Sequence, residues 1–538
     1  MPKAAAPGLA ARPRRGAWLV AAASFAHAHR GKELWRASDS LLRATPRRGA
    51  ADDAASLALA ARLQAEEDAS AHKRHRAATQ PAHATSWRYP FNDGSLYDGV
   101  GFHLTRIVGA RNAPPPARSN AGAVCFEDLL RPDATTGAVR CALLAGCGVE
   151  LNWLIGTCPM LLALPKVFVI CQPGGLDGPP PLNFEVFSPA MSSPFEKQHS
   201  KFVIVEYERK VRVSVTTANF NGGEWEDNIT NAVWLQNFPR KAAAAEASEF
   251  EIELLGLLTA LGWPGRTGTR LSVDTLRGYD FSSARVKLVA SVKGKHCGDD
   301  VVKYGHRRLR ALLSKQRFDA KFGAGGSRLV AQVSSIPTLK QEFFTQLFDT
   351  SMGAGLDTAG TPLGPAAETA LVWPTVKEVR DSLDGPGVGG IYCGSKEKLE
   401  QPVVQRKLHR WGVADGAGDT PEGRARALAH MKCFGRYHAP SGELAWFLLG
   451  SHNMSQGAWG QELRTKVTTL KFTMFELSVL LLPSLVPNCA RMVTTAARGG
   501  TRAGLSGGTL ALPVPFALPP ARYVAGDTPW CDTDAAAA

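Results

Sequence analysis

Cysteine pairs at metal-ligand spacing are missing from this chain of 538 residues. Its ten cysteines are scattered, with no Cys-x-x-Cys among them. That argues against a zinc site or a disulfide framework and for reduced thiols in an intracellular protein. Acidic side chains are scarce beside basic ones, 48 against 62, leaving a formal charge of +14. Such a surplus favours a polyanionic partner. A membrane span is lacking too, because the apolar patch Trp18–Ala26 is too short and has no convincing cleavage site. With 44% hydrophobic and 20% charged residues, the chain is globular and long enough for two domains.

Residues 1–85 differ from the rest. They are rich in Ala, Arg and Pro and are expected to be disordered. The first fifty are Arg-rich and acid-poor, which suits an organellar transit peptide or a basic nuclear tail; the nucleus is the expected compartment. Residues 52–68 are helix-compatible, with Leu59 and Leu63 on one face and Glu66-Glu67-Asp68 following. That pattern is similar to a ubiquitin-interacting helix or is an incidental amphipathic turn. Lys73-Arg74-His75-Arg76 is a basic cluster usable as a nuclear signal.

What the chain does contain is one motif written twice. His199-Ser200-Lys201 is followed by an apolar run, a charged turn, a second apolar run and Thr217-Ala218-Asn219. His430-Met431-Lys432 is followed by a Gly/Pro/Ser-rich turn, an apolar run and Ser451-His452-Asn453. Gly223 and Trp225 stand at the same offsets from Asn219 as Gly457 and Trp459 do from Asn453. Of the thirteen histidines, only His199 and His430 lie two residues before a lysine. In an extended segment His-x-Lys puts both side chains on one face, and a hairpin brings the asparagine alongside. Each copy then offers an imidazole, a fixed cation and an amide donor. Cation and amide suit the oxygens of a phosphate undergoing transfer. Imidazole can act as nucleophile or general acid near neutrality. A neighbouring lysine depresses its protonation and keeps one imidazole free to attack, and no metal or other cofactor is required.

The paired motifs resemble the phospholipase D superfamily and, in detail, the tyrosyl-DNA phosphodiesterases of type 1. The superfamily's Asp five residues after the Lys is replaced here by Glu206 and Tyr437, and the tyrosyl-DNA phosphodiesterases also lack it. Further similarity lies in Phe102-His103-Leu104-Thr105-Arg106, Ser334-Ser335, Trp446-Phe447-Leu448-Leu449, Gly457-Ala458-Trp459-Gly460 and Phe475-Glu476-Leu477, and spans roughly Phe91 to Trp530. The resemblance implies two pseudo-twofold-related α/β/α sandwich domains, here 86–266 and 267–534, with the active site at their interface. It implies a monomeric DNA-repair phosphodiesterase acting on single- or double-stranded DNA 3′ ends, chiefly those carrying a topoisomerase I peptide. It assigns His199 as nucleophile and His430 as acid, with Lys201, Lys432, Asn219 and Asn453 on the phosphoryl oxygens. Glu476 would orient His199. Asn231 stands where the family has Gln and would orient His430. Phe195 would stack on a DNA base, and Ser335, Thr338 and Ser455 would touch the DNA backbone.

Two departures stand out. Glu400 occupies a place where the family often has a DNA-contacting lysine, a contact weakened unless Lys398 substitutes. The chain stops soon after Trp530, where relatives continue through aromatic residues, implying either reduced peptide-side contacts or an incomplete sequence. The rivals are another phospholipase D-like phosphodiesterase or nuclease, and a non-catalytic DNA-end-binding adaptor.

The expected elements follow from periodicity. Strands are expected at 104–108, 167–171, 202–205, 211–215, 286–290, 328–332, 371–373, 445–449 and 477–482. Residues 124–130 read as a strand or short helix, and 138–154 as mixed with a helix near 151–154. Helices are expected at 242–261, 303–313, 339–348, 376–382 and 402–409. A boundary is expected at 262–268 and irregular chain after Pro483.

Overall fold

Two β-sheets organise the protein, each built around one motif hairpin. The computed structural model describes residues 101–110, 115–242, 245–263, 271–413, 418–465, 467–497 and 504–537. The N-terminal tail with its 52–68 segment and basic cluster lies outside these residues, as does most of the expected boundary.

The first sheet has seven strands, in the order Phe102–Leu104, Ala232–Pro239, Lys210–Thr216, Phe202–Tyr207, Val139–Gly146, Val167–Cys171 and Phe184–Phe187. Pairing is antiparallel as far as Val139–Gly146 and parallel beyond it. Val167–Cys171 lies between two parallel neighbours with all five residues buried, which is why it reads as an unbroken apolar run. The hairpin strands alternate between two cores. Phe202 and Ile204 point into one, with Val211, Val213 and Val215; Val203, Val205 and Tyr207 point into the other. The helix Glu249–Ala260 supplies Phe250, Leu254 and Leu258 to the first core, and Phe126–Leu130 supplies Phe126 and Leu129 to the second. Both faces are thus covered, giving an α/β/α sandwich.

The second sheet repeats the plan. Its path runs Val286–Ser291, Met474–Leu481, Glu443–Gly450, Lys432–His438, Ser327–Gln332, Glu368–Val372, Leu408–His409, with the same change from antiparallel to parallel. Four more strands join it. Arg491–Thr494, Thr509–Leu512 and Gly504–Ser506 extend it from the hairpin, and Lys197–Gln198 crosses over from the first half onto Met474 and Phe475.

Several expected elements differ. The first strand ends at Leu104, because side-chain amides take the backbone further on: Ile107 N–H donates to Asn120 (3.0 Å) and Gly109 N–H to Asn228 (2.7 Å). The helix expected from residue 242 begins at Glu249, where the Ser248 hydroxyl accepts the Glu251 N–H at 3.2 Å. Residues 339–348 divide into a short α-helix Gln341–Phe344 and a wider π-turn Thr345–Ser351. The helix at Pro402 stops at Gln405, and Leu408–His409 is a strand, since the parallel sheet edge captures it. The chain after Pro483 is partly regular: its Gly- and Thr-rich composition hides three short strands held by sheet pairing, with Met492, Leu510 and Leu512 buried.

The halves are laced together beside the motifs. His199 N–H donates to Phe475 O at 3.0 Å, Thr230 N–H to Leu428 O at 2.7 Å, and Met431 N–H to Thr230 O at 3.2 Å. The fully buried Arg424 donates from the second half to Ser119 O (2.6 Å) and Thr105 O (2.7 Å) in the first. Arg424→Met would strand both carbonyls, so a loss of about 3 kcal/mol in chemical denaturation is expected. A change below about 0.5 kcal/mol would mean that water replaces the guanidinium there.

Candidate active site

In both hairpins the motif residues collect at the end opposite the turn. His199 and Lys201 enter the strand Phe202–Tyr207, and Asn219 leaves Lys210–Thr216. His430 precedes and Lys432 opens the strand Lys432–His438, and Asn453 follows Glu443–Gly450. Lys201 and Lys432 are buried to 0% and 1% exposure, while each imidazole side chain keeps 12%. The histidines are therefore the part of the site a ligand reaches.

Each histidine is oriented by a carboxylate from the other half. His199 Nδ1–H donates to Glu476, 2.9 and 3.0 Å from its two oxygens. His430 Nδ1–H donates to Glu224 Oε2 at 2.8 Å, not to Asn231. Asn231 is fully buried behind the site. Its Oδ1 accepts from Thr217 Oγ1 at 2.7 Å, and its Nδ2 donates to the backbone oxygen of Glu224 at 3.3 Å. The short amide is used up by its neighbours, and Glu224 fills the place beside the imidazole. One sequence signal could have found Glu224: the repeats differ between Gly and Trp, where Gly223-Glu224-Trp225 answers Gly457-Ala458-Trp459. Lys197, two residues before His199 and 4% exposed, is a third buried ammonium that sequence reasoning missed.

The two amides are held in different ways. Asn453 Oδ1 accepts from the Ser334 N–H at 3.1 Å, which leaves its NH2 to donate to a ligand. Asn219 donates from its backbone N–H and its Nδ2 to the two oxygens of Glu224, at 2.8 and 2.7 Å, keeping one amide hydrogen for a ligand. The lysines differ as well. Lys201 Nζ donates to His199 O at 2.8 Å. Lys432 Nζ donates to His430 O at 2.6 Å and also to His430 Nε2 at 2.7 Å, capping that ring nitrogen. Among the described residues, the His199 ring bonds only to Glu476.

Burial, then the Lys201, Lys432 and Lys197 ammoniums, hold His199 well below the usual imidazole range, so it is neutral. Burial lowers His430 too, but Glu224 opposes this. Burial pushes Glu476 up to about 8 against the pull of Lys201, so one proton is shared by Glu476 and His199 near neutrality. Once Glu476 is ionised, three buried ammoniums over two carboxylates, with neutral imidazoles, leave one positive charge, the complement of a phosphodiester monoanion. Among the described residues no cluster of three or more His, Cys, Asp or Glu could hold a metal ion.

The expected DNA contacts rim this site. Phe195 is half-buried and belongs to none of the core clusters; its neighbour Glu196 pairs with Lys293 of the other half at 2.7 Å. Ser335 is half-buried and Thr338 exposed, on the segment whose Ser334 holds Asn453. Ser455 caps the turn Gln456–Trp459 through Ala458 N–H at 3.1 Å. Glu400 is exposed, 3.8 Å from Lys396.

The raised Glu476 sets a pH dependence. For His199 to serve as a nucleophile its proton must sit on Nδ1 with Glu476 ionised, a state that fills as pH rises through about 8. Single-turnover cleavage of a substrate whose leaving group needs no acid should therefore rise to a plateau above that pH. Glu476→Gln should lose about 10²-fold or more and flatten the limb; an unmoved limb would assign it to another group.

Residues 102–524 match the family model for tyrosyl-DNA phosphodiesterase. Tyrosyl-DNA phosphodiesterase 1 of Arabidopsis thaliana is 32% identical over 454 residues, 77% of this chain and 72% of that protein. The Drosophila melanogaster protein of the same name is 26% identical over 79% of this chain and 72% of its own length. In fold, the crystal structure of the yeast tyrosyl-DNA phosphodiesterase superposes with a TM-score of 0.57 at 17% identity, covering 80% of this chain and 99% of that one. The duplicated α/β plan is that of the phospholipase D type, and the chain belongs to the tyrosyl-DNA phosphodiesterase family.

Proposed function

We propose that this tyrosyl-DNA phosphodiesterase releases a topoisomerase I tyrosine from a DNA 3′ phosphate in two steps, through a phosphohistidine on His199. The observation that carries the reading is the asymmetry of the two imidazoles. His199 is neutral, with Nδ1–H held by Glu476 and Nε2 uncapped, the state a nucleophile needs. His430 has its Nε2 capped by Lys432. In the proposed complex a phosphoryl oxygen draws Lys432 away, and His430 Nε2 carries the proton.

In the first step the Nε2 lone pair of His199 bonds to phosphorus, the bond from phosphorus to the tyrosyl oxygen breaks, and that oxygen takes the His430 proton. Tyrosine, with a pKa of about 10, is a fair leaving group. In the second step His430 Nε2 takes a proton from water, whose oxygen bonds to phosphorus, and the P–N bond returns its electron pair to His199. The product is a 3′ phosphate. Lys201, Lys432, Asn219 and Asn453 hold the phosphoryl oxygens throughout. Phe195, Ser335, Thr338 and Ser455 line the DNA side, single- or double-stranded. The basic surplus supports a DNA-bound role in the nucleus.

A 3′-phosphotyrosyl oligonucleotide in EDTA tests the reaction, with a 3′-phosphate product expected. His199→Ala should be inactive and leave no adduct. His430→Ala loses the base of the second step, typically about 10²–10⁴-fold, and should accumulate an acid-labile protein–DNA adduct. An adduct trapped by His199→Ala instead would reverse the roles. Phe195→Ala should weaken single-strand binding by about 1–3 kcal/mol with little loss of stability; a large fall in melting temperature at unchanged affinity would make it a core residue.

A further inference from the structure

We infer that Glu224 is the positioning residue for His430, and that it joins the acid of one motif to the phosphate-binding amide of the other. The inference rests on the two-step reading above. Glu224 Oε2 accepts from His430 Nδ1 and from the Asn219 backbone N–H, each at 2.8 Å, and Oε1 accepts from Asn219 Nδ2 at 2.7 Å. The backbone around Glu224 is itself braced. Asn221 Oδ1 accepts the Glu224 N–H at 2.9 Å, Asn231 donates to its carbonyl oxygen at 3.3 Å, and Trp225 Nε1 donates to Asn219 O at 2.8 Å. Asn231 therefore supports Glu224 and reaches His430 only through it. The other motif has Ala458 at the equivalent place, and its asparagine is held by the Ser334 N–H. The two orienting carboxylates thus come from non-equivalent positions, Glu476 from a central strand and Glu224 from the turn after Asn219.

A carboxylate in this place does what an amide cannot. It favours the imidazolium that forms when His430 takes a proton from water, and so makes His430 a stronger base in the second step. The charged and titratable groups facing His430 are Glu224, Lys432, Lys201 and His199. Of these only Glu224 stabilises the protonated ring. Although burial pushes the Glu224 carboxyl up, His430 and Lys432 hold it well below the usual carboxylate range, so it stays ionised wherever His430 titrates.

The test uses the full chain and three variants, Glu224→Gln, Glu224→Asp and Asn231→Ala. NMR titration of the His430 ring in the free protein should show its pKa about 1–3 units lower in Glu224→Gln, with Glu224→Asp in between. In single turnover, Glu224→Gln should slow release of tyrosine from a 3′-phosphotyrosyl oligonucleotide more than release of p-nitrophenol from the 3′-p-nitrophenyl ester, which needs little acid. Its adduct should persist about 10²-fold longer than that of the unaltered chain. An unmoved His430 titration in both Glu224 variants, with a shift in Asn231→Ala, would overturn the inference and return the role to the amide. Should Glu224→Gln fail to fold, the Glu224→Asp titration decides alone. An unaltered chain that cleaves neither ester would sink the two-step reading instead, and the titration would still judge Glu224.

Discussion

Buried charged groups hold this site together and set its terms. Three ammoniums, two carboxylates and two imidazoles occupy a region where an uncompensated charge costs several kcal/mol. They are tolerated because the carboxylates, the imidazoles, Lys201 and Lys432 are hydrogen-bonded and because the histidine contacts cross between the halves. His199 of the first half bonds Glu476 of the second, and His430 of the second bonds Glu224 of the first. Neither half alone could satisfy its own histidine. The backbone lacing at His199–Phe475 and Thr230–Met431, with Arg424 behind it, fixes the separation those contacts need.

The fold is a repeat, while the site is only partly one. The same strand order occurs twice, and in both copies histidine, lysine and asparagine emerge at the open end of a hairpin. Around that common frame the two imidazoles differ in environment. His199 faces three ammoniums, and its Glu476 partner is pushed up by burial. His430 sits on a carboxylate that stays ionised, and its outer nitrogen meets Lys432. Two copies of one motif thus hold imidazoles of different protonation character.

The parts of the site legible in the sequence were those carried by local period and repetition. His-x-Lys reads as one face of a strand because side chains alternate, and the matching offsets of Asn219 and Asn453 imply a hairpin. Glu476 could be singled out because a carboxylate inside the apolar run Phe475 to Leu482 demands a partner. Asn231 misled, since it stands where the family has Gln, yet Thr217 and the Glu224 carbonyl take up its amide. Glu224 and Lys197 gave no periodic signal. Glu224 showed only as the mismatch between two Gly-x-Trp triplets.

The sequence by itself determined the duplication, the buried strands and the chemical set of two imidazoles, two lysines and two amides. Those depend on neighbours close along the chain, where the pleat and the hairpin dictate which side chains meet. Tertiary structure decided which carboxylate serves which imidazole, the capping of His430 by Lys432, and the capture of Leu408–His409 and the strands after Pro483 by the second sheet. Partners 277 residues apart, as His199 and Glu476 are, or 206 apart, as His430 and Glu224 are, meet only when two sheets are brought together. Their pairing is an outcome of packing and desolvation, which no local pattern in the chain encodes.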